Sequence, residues 1–168
     1  MKWSYVIVVG TLLLIGGVII VQMSRDPMKT SSVNTGAISK FTRIQLFFVN
    51  TKLDPAVSCD KTFPVSRMVE KNTTPIQNAL LELFGGPSLA EEQKGYTTSI
   101  NSGVRVQSVL LQDGVARVDL SKEIERNVGG SCRVGSIRSQ IANTVKQFPE
   151  VKSVIISVDG RVDDALQP

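Results

Sequence analysis

The chain contains no histidine. That absence removes His general bases, Ser-His-Asp triads and imidazole metal sites. Cysteine is nearly absent too: Cys59 and Cys132 are the only two. A structural zinc site takes four ligands, so these two do not build one. The Walker, dinucleotide and Gly-x-Ser-x-Gly patterns are also missing. Basic residues outnumber acidic ones to a formal net charge of +4, but they are scattered and form no stripe. A nucleic-acid footprint needs such a stripe. The expectation is a chain with no catalytic residue, no metal, no cofactor and no nucleic-acid partner.

What is present is globular in kind. Apolar residues make up 42% of the 168 and charged residues 20%, enough for one domain of ordinary size plus a tail. The organising stretch is VRVQSVLLQDGVARVDLS. Val104, Val106, Val109 and Leu111 precede Asp113-Gly114, and Val115, Val118 and Leu120 follow it. Asp-Gly between two alternating runs predicts a tight β-hairpin, because both residues tolerate positive φ. A two-stranded ribbon is marginal alone and needs cover over its apolar face.

The N-terminus reads as a membrane segment. Residues 3–24 carry no charge between Lys2 and Arg25, and about 20 apolar residues cross a bilayer. Gly10, Gly16 and Gly17 are ordinary in such helices, and Trp3 and Tyr5 sit where an interfacial belt belongs. A cleaved signal peptide is the rival reading, but the exit Val-Gln-Met-Ser-Arg is a poor cleavage site. Residues 1–25 are therefore expected to be an uncleaved signal anchor. Residues 26–40, rich in Ser, Thr and Gly, read as a flexible stalk, and residues 41–168 as the folded domain.

Within the domain, residues 41–50 alternate as a strand. Residues 62–69 add a short extended piece, placed at an edge by Pro64. Thr74-Pro75 opens a helix with Ile76, Ala79, Leu80, Leu83 and Phe84 on one face, and Gly85-Gly86-Pro87 ends it. Ser88 and Glu91 have capping-box spacing. After the hairpin and a polar connection, Gly129-Gly130-Ser131 precedes a second helix over residues 133–148, with Ser131 as its expected N-cap. Val134, Ile137, Ile141, Val145 and Phe148 form its apolar stripe. Residues 151–158 are a last strand. The order is strand, helix, strand, strand, helix, strand: α+β, a split βαβ arrangement in one mostly antiparallel sheet with two helices on one face.

The segments FPVSRMVEKN, PIQNALLELFGGPSLAEEQKGYTTSINSGVRVQSVLLQDGVARVDLS and GGSCRVGSIRSQIANTVKQFPEVKSVIISVDGR resemble the GerMN domain family of sporulation and spore germination. The resemblance runs over residues 44–161 as a series of ordered pieces. It implies an extracytoplasmic domain, usually membrane-tethered, with a fold similar to the ring-building motifs of secretion machines and no established catalytic residues. The family includes a sporulation lipoprotein of an envelope-spanning channel complex. This chain shows one such domain where that lipoprotein has two, and no lipoprotein cysteine, so a general envelope role is the expectation.

Three groups of residues invite a functional reading. Cys59 and Cys132 lie far apart in sequence. Outside the membrane they are expected to pair, closing a loop of about 70 residues; free thiols, or a reactive Cys132 at a helix start, are the alternatives. Gly129, Gly130 and Ser131 with Arg133 can cradle an anion on free amides, or simply form a turn. Arg67 can recognise a carboxylate, or be an ordinary paired residue. Glu123 and Glu125 read as solvated charges, because alternate residues of an extended segment point apart. The expected function is a non-enzymatic, single-pass envelope protein that binds a cell-envelope protein or self-assembles outside the cytoplasmic membrane. The alternative is a small-ligand module for a cell-wall component.

Overall fold

The structure, a computed structural model, describes residues 40–56 and 58–167. The expected signal anchor and nearly all of the expected stalk lie outside the described residues. Among the described residues no helix is long and apolar enough to cross a membrane.

Strand β1 (Phe41–Asn50) buries Ile44, Leu46 and Phe48 on one face. It pairs antiparallel with β2 (Phe63–Glu70), from Phe41 opposite Glu70 to Phe48 opposite Phe63. Helix α1 (Pro75–Phe84) starts with Pro75 in its first turn and buries Ile76, Ala79, Leu80 and Leu83. Thr74 is its N-cap residue but makes no side-chain capping bond. The helix ends at Gly85, and Gly86 then turns out at φ +76°, a conformation that a Cβ would strain. Helix α2 (Leu89–Glu92) is a single turn closed by the expected capping box between Ser88 and Glu91. Strand β3 (Tyr96–Thr97) pairs with the end of β1.

Strands β4 (Val106–Gln112) and β5 (Val115–Leu120) form the predicted hairpin. Asp113 and Gly114 both have positive φ, 53° and 82°, as a type I′ turn requires. A 3₁₀ turn at Lys122–Glu125 buries Ile124. Helix α3 (Ser131–Lys146) then leads to β6 (Ser153–Val158), which pairs in parallel with β5.

The α+β class and the element order agree with the sequence reading; the extended piece expected over residues 62–69 is β2, at a ladder edge, and β3 is new. The sheet is organised differently. The strands divide into two three-stranded ladders, β2-β1-β3 and β4-β5-β6. The β5–β6 pair is parallel because a strand–helix–strand crossover returns the chain in the same direction. The two longer helices bridge the ladders: α1 packs on β1 and β4, α3 on β1 and β6, and they pack on each other. The core therefore runs through both helices, with Leu80, Leu83, Ile137, Ile141 and Val145 inaccessible to solvent beside Phe48, Val118 and Val158. Burying each such side chain contributes about 1.5–3 kcal/mol.

Beyond the two residues of β1 that pair with β3, side chains take the place of a strand along that side of β1. The Gln45 N–H donates to Gln147 Oε1 at 2.7 Å, and Gln147 Nε2 donates back to the Gln45 carbonyl at 2.7 Å. The Phe47 N–H donates to Thr144 Oγ1 at 3.1 Å. These bonds satisfy polar backbone that would otherwise be orphaned against the helix.

Candidate functional site

Arg67 leaves β2 and lies over the Phe48 ring, 5.8 Å from its centroid. Its guanidinium donates to the Gly86 carbonyl at 2.8 Å and to Glu91 Oε2 at 2.7 Å. Longer contacts reach the Glu82 carbonyl at 3.3 Å and Glu82 Oε2 at 3.4 Å. The carboxylates it meets are thus those of its own chain. One fork clamps the C-terminal end of α1 and the start of α2 onto the sheet. Burial pushes the Glu91 carboxyl up, but the Arg67 and Ser88 hydrogen bonds and the Arg67 charge outweigh it and hold the group below its ordinary value.

Cys59 and Cys132 form a disulfide, with Cα atoms 4.7 Å apart. It ties the loop after β1 to the first turn of α3. That loop is organised by two buried acceptors. Asn50 Oδ1 accepts from the Lys52 and Leu53 N–H groups at 2.9 and 3.0 Å. Asp54 Oδ2 accepts from the Ser58 N–H at 2.7 Å.

The N-cap of α3 is Gly130, at φ +83°, and Ser131 is the first helical residue. The expectation of Ser131 as N-cap is thereby corrected by one position. Gly130 suits the left-handed backbone there, and it makes no side-chain capping bond. A Cβ at Gly129 or Gly130 would meet nothing within 4 Å, so neither glycine is required by close approach of another group. Arg133 turns away from the helix start, donating to the Asn127 carbonyl at 2.9 Å and to Asn101 Oδ1 at 2.7 Å. Asn101 Nδ2 in turn donates to the Glu123 and Arg126 carbonyls, both at 2.8 Å. A hollow of about 350 Å³ lies beside the disulfide, bounded by Ser58, Ser99, Gly129, Gly130, Arg133 and Ser136 among others. The structure thus brings Cys59, Cys132, Gly129, Gly130 and Arg133 to one corner. Arg67 is engaged elsewhere, with Glu82, Gly86 and Glu91.

Glu123 and Glu125 have separate partners. The Ser121 side chain and the Glu123 backbone N–H hold the Glu123 carboxyl below its ordinary value, with the nearby positive charges of Arg105 and Lys122 adding to them. Glu125 accepts from Arg161 at 2.7 Å and from the Leu166 N–H at 2.9 Å, pinning the C-terminal segment. Among the described residues no group of three His, Cys, Asp or Glu is placed to hold a metal.

Sequence reasoning missed the second stripe of α3. Ser136, Gln140 and Thr144 are all buried. Gln140 Oε1 accepts from Thr98 Oγ1 at 3.0 Å, and the Ser99 and Ser136 hydroxyls lie 2.9 Å apart. Their four-residue spacing puts them on one face of the helix, but polar letters alone do not tell a buried face from a solvated one.

The family model for sporulation and spore germination, Germane, matches residues 45–164. The fold is similar to the tandem GerMN domains of the sporulation protein GerM from Bacillus subtilis, with a TM-score of 0.56 and 13% identity over 76% of this chain. This chain spans only 42% of that tandem structure. The first GerMN domain of the same protein matches with a TM-score of 0.54 and 15% identity, over 74% of this chain and 88% of that domain. No curated protein matches significantly. A family model covering most of the domain, and a fold shared with GerMN domains, give one conclusion: the chain belongs to the Germane family of sporulation and spore germination domains.

Proposed function

We propose that this chain is a non-enzymatic envelope protein. Its N-terminal apolar segment anchors it in the cytoplasmic membrane, and its single GerMN-type domain works on the outer side by binding an envelope protein or assembling with itself. The observation that carries the reading is the engagement of its charged side chains. Arg67, Arg133, Glu91 and Glu125 all hold the protein's own backbone or its own counter-charges in place, which leaves no poised acid, base or nucleophile among them. The Cys59–Cys132 bridge fits an oxidising compartment.

A second reading, a small-ligand module for a cell-wall component, is favoured by one feature. The hollow beside the disulfide has about 350 Å³ and is bounded by Ser58, Gly129 and Gly130, within the range of small-molecule sites. In-situ crosslinking of the full-length chain in its native membrane, with mass spectrometry of the captured species, separates the two. A reproducible adduct with itself or with one envelope protein is expected. Only monomer, at doses that capture known complexes, would refute the assembly reading and favour wall fragments as the ligand.

A further inference from the structure

The sheet edges differ in how they are closed. Strand β2 carries Pro64, Arg67 and Glu70. The free side of β1 is closed by Gln147, Thr144 and β3. In β6 the Val158 N–H donates to the Arg161 carbonyl, and β6 has no large apolar side chain among the exposed ones. Strands β4 (VQSVLLQ) and β6 (SVIISV) both lack charge and proline, the features that normally stop edge pairing, but β6 is bridged at its end by Arg161 and no such bridge closes β4 among the described residues. Leu110 and Leu111 are 55% and 36% exposed.

The hairpin register sets which backbone groups are free. Gln112 opposite Val115 closes the two-residue turn. Alternation then aims the Gln112 and Leu110 backbone at β5 and leaves the N–H and C=O groups of Val109 and Leu111 pointing outward. No backbone hydrogen bond joins either residue to another element among the described residues. A hollow of about 360 Å³ between Val109, Leu111, the Thr73–Gln77 stretch and Glu150 leaves room on the inner side of this edge.

The flanks of β4 carry opposite charges, Arg105 before it and Asp113 after it. Lay two copies antiparallel about a two-fold axis through Val109. Val109 then faces the second copy's Val109, Leu110 faces Ser108, and Arg105 faces Asp113 at both ends. The ladder irregularity between Val106 and Ser108 offsets the Arg105 end of each copy by a residue, so both ends are offset alike, and a long arginine side chain spans the step. Arg105 is 73% exposed and its ion pair is a 3.8 Å contact to Glu123, so reaching Asp113 exchanges one carboxylate partner for another. We propose that β4 pairs with β4 of a second copy in this register and joins two three-stranded ladders into one six-stranded sheet, an isologous interface. The proposal rests on the assembly reading above and names its partner.

The test uses the full-length chain in membranes and in mild detergent. Membranes holding both a Ser108→Cys and a Leu110→Cys chain are oxidised, and a mixed dimer is expected in excess of either homodimer. Sedimentation equilibrium on the parent should show a dimer that strengthens with concentration. Asp113→Asn keeps a residue that accepts positive φ and removes only the charge; it should weaken the dimer about 3- to 10-fold at low salt, with the difference fading as salt rises. Leu110→Lys should abolish the dimer while keeping the circular dichroism spectrum of the parent, which shows the fold intact, and its unfolding midpoint should no longer rise with concentration. Random crosslinks among the cysteine variants, or a dimer indifferent to Leu110→Lys, would overturn the register. A monomer in detergent together with an in-membrane adduct to a different protein would overturn this inference and leave the assembly reading standing. A monomer with no adduct of any kind would sink both.

Discussion

Arg67→Ala removes the fork that holds α1 and α2 to the sheet, and the loss can be worked from its contacts. Two bonds are short: 2.8 Å to the Gly86 carbonyl and 2.7 Å to Glu91. A hydrogen bond involving a charged group contributes about 1.5–3 kcal/mol, and a cation over a ring about 0.5–2 kcal/mol. The Arg67 side chain is 20% exposed and Glu82 is 41% exposed, so the Glu82 contact adds little, and Glu91 partly rehydrates once released. The expected net loss is about 2–4 kcal/mol, or roughly 10 °C in Tm for a domain of this size. Arg67→Lys, which cannot fork, should lose about half as much, on the order of 1–2 kcal/mol. Pulse proteolysis in a urea series on the full chain reads both values. The pH dependence is a second check. The folded-state pKa of Glu91 is lowered, so its contribution is complete above the ordinary Glu value of about 4.3 and is lost as pH falls through the lower folded value. The gap between parent and Arg67→Ala should therefore narrow below about pH 4. A loss under about 0.5 kcal/mol, the size of an ordinary surface substitution, would refute the clamp; a gap unchanged to low pH would refute the role of Glu91.

Two further outcomes follow from the same contacts. Replacing both Cys59 and Cys132 with Ser releases a cross-link between residues 73 apart, which the chain-entropy model values at about 4 kcal/mol; an unfolding free energy from urea titration within about 1 kcal/mol of the parent would contradict it. Gln147→Ala frees the Gln45 N–H and carbonyl, bonded now at 2.7 Å each. It should cost about 1–2 kcal/mol and speed hydrogen exchange at the Gln45 amide, and an unchanged exchange rate would show that the β1 edge is closed by something else.

Some of this was legible in the sequence for plain reasons. Alternation of Ile44, Leu46 and Phe48 with Arg43 and Gln45 made β1 readable, and Asp113-Gly114 named its own turn type. The apolar stripe of α3 was readable because Val134, Ile137, Ile141 and Val145 repeat at helical spacing. Alternation assigns residues to faces, however, and says nothing of what meets an edge. The division into two ladders depends on Gln147 and Thr144 occupying the side of β1, about a hundred residues away in the chain. A buried polar stripe has the same letters as a solvated one, so nothing in the sequence marks Ser136, Gln140 and Thr144 as buried. Arg67 was singled out by its place in the resemblance, yet its partners Glu82 and Glu91 lie 15 and 24 residues on, too far for any local pattern to pair them. The disulfide was inferred from compartment and count, and the structure places the two cysteines together.

The proposed function requires the domain to lie on the outer side of the cytoplasmic membrane. The direct measurement is proteolysis of intact spheroplasts carrying the full-length chain, with thiols blocked before lysis. Protease added outside is expected to cut between residues 26 and 40 and release a folded fragment in which Cys59 and Cys132 remain joined. A chain that stays whole until the membrane is ruptured, with both thiols open to the blocking reagent, would contradict it.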